Sequence, residues 1–177
     1  LEATPEAPIL PNMQAYMTQD LQWMTVRPIT EVLRYQAVSY PSFRHGPTTS
    51  SRQLRVHTEL PPGFNPRTLE LATQMRADPT LTNADTQQLV DAVLLRLRTG
   101  GYSYSLDPGV FGEHTADEFW FDRKEGFCEH ISSAFVVLMR ALDVPARIVT
   151  GYQGGERNPV DGYWTVRNAD AHAWAEV

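Results

Sequence analysis

The sequence predicts an α+β fold, and three observations carry that prediction. Period-two alternation comes first after an aperiodic tail, three-and-four apolar spacing fills the middle of the chain, and strand patterns return after a last, more apolar helix. No internal repeat or low-complexity segment interrupts this order. The 177 residues carry a formal net charge of −6, with 42% hydrophobic and 20% charged side chains. Such a chain buries a core without staples, and its composition argues against disorder. Lysine and arginine form no run, so nucleic acid and anionic membrane surfaces are not expected partners. The longest apolar run, Ala134 to Met139, stops at Arg140 and is too short to span a bilayer. The chain starts at Leu1 with no signal peptide, and it is expected to be a fragment or processed product.

Each element has a local reason. Residues 1–11 carry Pro5, Pro8 and Pro11 without periodicity and read as a tail. Leu33, Tyr35 and Ala37 alternate with polar neighbours, and Leu54, Val56, Thr58 and Leu60 do so more cleanly. These predict a hairpin around the Gly/Pro/Thr/Ser-rich loop 42–51. Pro61-Pro62-Gly63 ends it, separating an N-terminal tail and β-rich extension (1–62) from a core domain (63–177). Asn65 as cap and Pro66 at the first position open a helix, which Asp78-Pro79 stops. Leu89, Val90, Val93, Leu94 and Leu97 stripe a second helix from about Asp85 to Arg98. A short strand at 102–106 and a long polar loop at 107–118 follow. The third helix begins near Cys128, with Ile131, Ala134, Phe135, Leu138 and Leu142 on its buried face. Strand candidates at 146–152, 163–167 and 171–177 close the chain.

Cys128 is the single cysteine, which rules out an internal disulfide or a multi-cysteine zinc site. It lies on the first turn of the third helix, where free N–H groups favour a thiolate and can hold an oxyanion. A thiolate nucleophile needs a histidine partner. His45 falls in the hairpin loop, His57 on an outward strand face, and His114 in the long loop without ordered neighbours. His130, two residues after Cys128 on one helix, points away from the sulfur. His172 shares a strand face with Trp174 and Glu176, while Ala171, Ala173, Ala175 and Val177 form a small opposite face. A strand packed on the central helix can bring His172 to the helix N-terminus. A metal site from Cys128, His130 and His172 is opposed by the same helical geometry. No metal or cofactor is expected.

Gly126-Phe127-Cys128-Glu129-His130, the run Arg140 to Tyr152, and Asp170-Ala171-His172-Ala173-Trp174-Ala175-Glu176-Val177 together resemble the bacterial transglutaminase-like superfamily. The stretch from Phe121 to Glu156 is similar to its TgpA-type membrane branch, and residues 33–66 more weakly resemble that branch's extracytoplasmic extension. The resemblance implies a papain-like core with a Cys-His-Asp triad, Cys128 the nucleophile and His172 the base. It implies a thiol acyltransferase acting on glutamine side chains, in a periplasmic domain of a membrane-anchored inner-membrane protein. A protein or peptide, such as a cell-envelope component, would be the substrate. The family's aspartate belongs on the strand after that of His172, so the core is expected to be truncated and the acid absent. Glu176, roughly 13 Å along the strand from His172, and Asp170, roughly 7 Å away, are poor substitutes.

A cysteine peptidase or amidase uses the same acyl chemistry, and a non-catalytic peptide- or glycan-binding domain is the alternative outside enzymes. Trp120 reads as core rather than as an oxyanion donor. Arg147 and Glu129 read as ion-pairing residues, and Tyr152 and Tyr163 as sheet or cleft lining.

Overall fold

The computed structural model describes residues 3–18, 21–44 and 52–177. His45 and most of the predicted hairpin loop lie outside the described residues. By their contacts the residues form two compact units, 1–49 and 50–177. Residues 52–62 therefore group with the second unit rather than with the extension.

In the first unit, β1 (Ala15–Met17) pairs antiparallel with β2 (Trp23–Thr25), Tyr16 opposite Met24. A hairpin is present, but not where alternation predicted it. Leu33 to Ala37 form no strand; Gln36 alone bridges to Ile9. The expected tail is tied down by the same bridge, by Tyr40 N–H donating to the Ala3 carbonyl at 2.7 Å, and by Trp23 Nε1 donating to that of Thr4 at 2.6 Å. The many prolines exclude regular structure there without excluding order.

In the second unit, the cleanest predicted strand is instead the short helix α1 (Arg52–Arg55) followed by a turn. The amides of His57 and Thr58 donate back to Leu54 and Arg55 carbonyls. Val56 is exposed, so the alternation has no apolar face to bury and no sheet to join. His57 sits on no strand face; its carbonyl accepts from Ala146 N–H at 3.0 Å.

Helix α2 (Pro66–Ala77) starts after Asn65, which is left-handed and caps nothing on its own helix. Its Oδ1 instead accepts from the amides of Ala116 and Asp117, at the start of the short α4 (Thr115–Asp117). Asp117 returns the favour, accepting from Arg67 N–H (3.0 Å), Thr68 N–H (2.7 Å) and Thr68 Oγ1 (2.6 Å). The two helix starts cap each other, so each loses few orphan donors. Helix α3 (Thr86–Thr99) opens on a capping box, Asp85 with Gln88, which the sequence reading had not named. Strand β3 (Ser103–Tyr104) pairs parallel with β4 (Glu125–Gly126). Between them, α4 runs into a π-helical segment, Glu118–Arg123, closed by Lys124 N–H donating to the Phe119 carbonyl at 3.2 Å. The last third of the expected long loop, residues 115–118, is therefore helical.

Helix α5 (Cys128–Ala141) is central. Its Ala134, Phe135, Leu138 and Met139 join Leu71 and Ala72 of α2, Leu89 and Val93 of α3, and Phe119 and Trp120 in one core. Trp120 is fully buried and its indole N–H donates to the Ala134 carbonyl at 3.1 Å, which makes it a core residue. Strand β5 (Arg147–Tyr152) pairs antiparallel with β8 (Ala171–Glu176), and β6 (Glu156–Arg157) with β7 (Trp164–Thr165). Strand β8 packs on α5 through buried Ala173 and half-buried Ala175. Small side chains let helix and sheet approach closely.

Candidate active site

Cys128 is the first residue of α5 and is half-buried, with a free thiol. Phe127 precedes it in extended conformation and offers no side-chain cap. The first-turn amides are thus not capped by a side chain at the helix start where Cys128 sits. Ser132 Oγ donates to the Cys128 carbonyl at 2.6 Å and holds the turn.

His172 is the second residue of β8, opposite Gly151 and half-buried. Its ring meets Trp174 edge-on, with centroids 4.8 Å apart. The strand does lie against the helix that starts at Cys128. Among the described residues no hydrogen bond joins the two side chains; His172 shares its strand face with Trp174 and Glu176, while Ala173 meets α5.

Neither internal carboxylate is free to orient His172. Asp170 Oδ2 accepts from Arg167 N–H at 2.7 Å, closing a 3₁₀ turn at Asn168–Asp170. Glu176 pairs with Arg147 at 2.5 Å, across the sheet and away from His172. Arg147 is thus the ion-pairing residue expected; Glu129 is not, being exposed and in no salt bridge among the described residues. Tyr152 and Tyr163 are both exposed.

His130 points elsewhere, as the helical spacing predicted. Its ring sits between Phe111 (4.3 Å) and Phe127 (4.4 Å), and its Nδ1 is buried without a partner among the described residues. Burial holds its pKa below the ordinary imidazole value; Glu129 opposes that shift and Arg123 adds to it.

Sequence reasoning missed the anchoring of the long loop. Arg123 donates to the Pro108 and Val110 carbonyls, pairs with Glu118 at 3.2 Å and lies over the Phe111 ring. Through Phe111 it buttresses His130. His114 also has an ordered place: its Nδ1 accepts from Asn65 N–H at 3.2 Å, and its ring meets Phe64 edge-on. A lone arginine at the end of a helix gives no sequence signal for such a hub.

Beside the Cys128 turn lies a cavity of about 360 Å³. Helix α5 contributes Glu129, His130 and Ser133; the sheet contributes Ile148, Thr150 and Ala173, with Thr115 at its margin. Thr150 and Ala173 are register partners, so the cavity is built on one paired position of the sheet.

The transglutaminase-like superfamily model matches residues 71–177. A protein-glutamine gamma-glutamyltransferase of Pseudomonas aeruginosa is 36% identical over 160 residues, covering 90% of this chain and 23% of the relative. An uncharacterized protein YebA of Bacillus subtilis is 44% identical over 69 residues, covering 37% of this chain and 9% of its own length. The chain therefore spans less than a quarter of these curated relatives. The crystal structure of the periplasmic domain of TgpA from Pseudomonas aeruginosa superposes with a TM-score of 0.81 at 34% identity, over 96% of this chain and 57% of that one. An ethylmercury-bound form of the same domain gives the same score and identity and is covered to 59%. With a mixed helix-and-sheet architecture, an N-terminal hairpin and a family model matched over more than half its length, the chain belongs to the transglutaminase-like superfamily.

Proposed function

We propose that this chain is the catalytic domain of a thiol acyltransferase acting on glutamine side chains, with Cys128 as nucleophile and His172 as base. The observation that carries this reading is the seat of Cys128: a free thiol at the uncapped start of the central helix, against the strand that bears His172. In the first half-reaction the thiolate attacks the carboxamide carbon. The oxyanion forms beside the first-turn amides, the C–N bond breaks, and ammonia leaves with the proton carried by His172. In the second, an amine nitrogen attacks the thioester carbon and gives its proton to His172. The C–S bond then breaks and the thiolate is restored. Catalytic hydrogen bonds commonly tighten only with substrate in place, so His172 has its reach to gain on binding.

The named relative is a gamma-glutamyltransferase and the solved one a periplasmic domain, which supports a periplasmic setting. Among the described residues no helix is long and apolar enough to cross a membrane. The test is release of ammonia and incorporation of a labelled amine into a glutaminyl peptide, with trapping of a Cys128 thioester by mass spectrometry. Activity that survives Cys128→Ala defeats the proposal.

A further inference from the structure

Trp174 stands on the same face of β8 as His172, and its ring meets the imidazole edge-on with centroids 4.8 Å apart. Alternate residues of a strand stand about 6.7 Å apart, so this contact requires a ring to lean along the strand. The opposite strand shows which one leans. Gly151 is the register partner of His172 and lies diagonally across from Trp174. A Cβ at Gly151 would stand 3.4 Å from Cζ3 and 3.9 Å from Cη2 of the indole. The far edge of the indole therefore lies over Gly151, beside the imidazole, and not straight out from its own partner Val149. Gly151 leaves that place open, and a longer side chain there would fill it. Trp174 is 38% exposed and no part of the core cluster, so packing of the core does not account for its place.

An imidazole on a strand face has several staggered wells open to it. Asp170 and Glu176 are engaged with Arg167 and Arg147, and among the described residues no hydrogen bond or ion pair reaches the His172 ring. The indole is what limits it. We infer that Trp174 is a positioning residue for the acyl transfer: laid over Gly151, its indole closes one side of the His172 ring and confines the imidazole to one rotamer. The inference rests on the acyltransferase reading, and it gives Trp174 no contact with substrate. Aromatic pairs in edge-on contact favour one arrangement by up to about tenfold. A proton-transferring group that leaves its place costs rate without costing substrate affinity.

Two variants test it. Trp174→Phe keeps a ring beside His172, and Trp174→Leu keeps apolar cover without one. Ammonia release from a glutaminyl peptide is followed in both. In Trp174→Leu kcat is expected to fall about tenfold, and in Trp174→Phe to stay within about threefold of the parent, with KM for the peptide unchanged. A raised KM at unchanged kcat would make Trp174 a substrate contact and overturn the inference. Equal kcat in the two variants overturns it as well. The ring itself is read by NMR in the Cys128→Ala protein with labelled histidine, where no turnover intervenes. The parent and Trp174→Phe should show side-chain couplings of a single His172 rotamer. Trp174→Leu should show averaged couplings and lose the indole's ring-current shift, while the α5 amide resonances stay in place and report an intact fold. Averaged couplings in the parent, or couplings indifferent to Trp174→Leu, overturn the inference whatever the rates. The expected ring signature together with no ammonia release from any glutaminyl peptide would instead sink the acyltransferase reading and leave the held ring standing.

Discussion

Asp117 shows how a single buried carboxylate earns its place. It is 3% exposed and accepts three hydrogen bonds at the start of α2, two of them from backbone amides. Asp117→Ala strands those donors and should cost about 3 kcal/mol in urea unfolding, with Asp117→Asn costing about half. His172 and His130 separate in the opposite way. His172→Ala should lower turnover of a glutaminyl substrate by about 10²–10⁴-fold, whereas His130→Ala should leave a measurable rate; the reverse ranking defeats the assignment. His130 has its own signature in pH. Its folded pKa is lowered, so the unfolded chain takes up the proton first as pH falls. Its contribution is whole above the ordinary imidazole range and is lost as pH drops through and below that range. Urea midpoints at about pH 7.5 and 5.5 should therefore differ less in His130→Phe than in the parent. The places of Cys128 at the start of α5 and of His172 on β8 were legible in the sequence because periodicity sets both elements. Asp117 and Arg123 were not, because what they bind comes from distant parts of the chain.

Elements with strong periodicity or explicit punctuation were legible: α2, α3, α5, β5 and β8 all fall where spacing, caps and prolines put them. Short elements without a buried face were not. The alternation at 53–60 looked like a strand, yet pairing needs a partner and local i→i+3 bonds won. The Asn65 cap was misassigned because its side chain serves a helix start some fifty residues away. Strand β4 sets a close contact with α5: a Cβ on Gly126 would lie 2.6 Å from His130 Cβ. That atom is the root of a side chain and cannot swing aside, so the helix or β4 must move. Gly126→Ala should therefore lower stability by about 1–3 kcal/mol, and shift the Phe111, Phe127 and His130 aromatic resonances; unchanged resonances would contradict the packing described.

For the molecule as a whole, β8 matters at both faces and at its free edge. Among the described residues it pairs only with β5, and an unpaired edge invites pairing with another chain. The π-helical turn at Glu118–Arg123 has a different bearing on the molecule. It is the spacer between two anchors: Asp117 fastens α2 at one end, and Arg123 fastens the Pro108–Val110 loop at the other. Deleting one residue would let the backbone relax to an ordinary α-helix while turning one anchor by about 100° relative to the other. Side-chain changes in this stretch can be absorbed one at a time, but its length cannot vary, so insertions and deletions are excluded where substitutions are not.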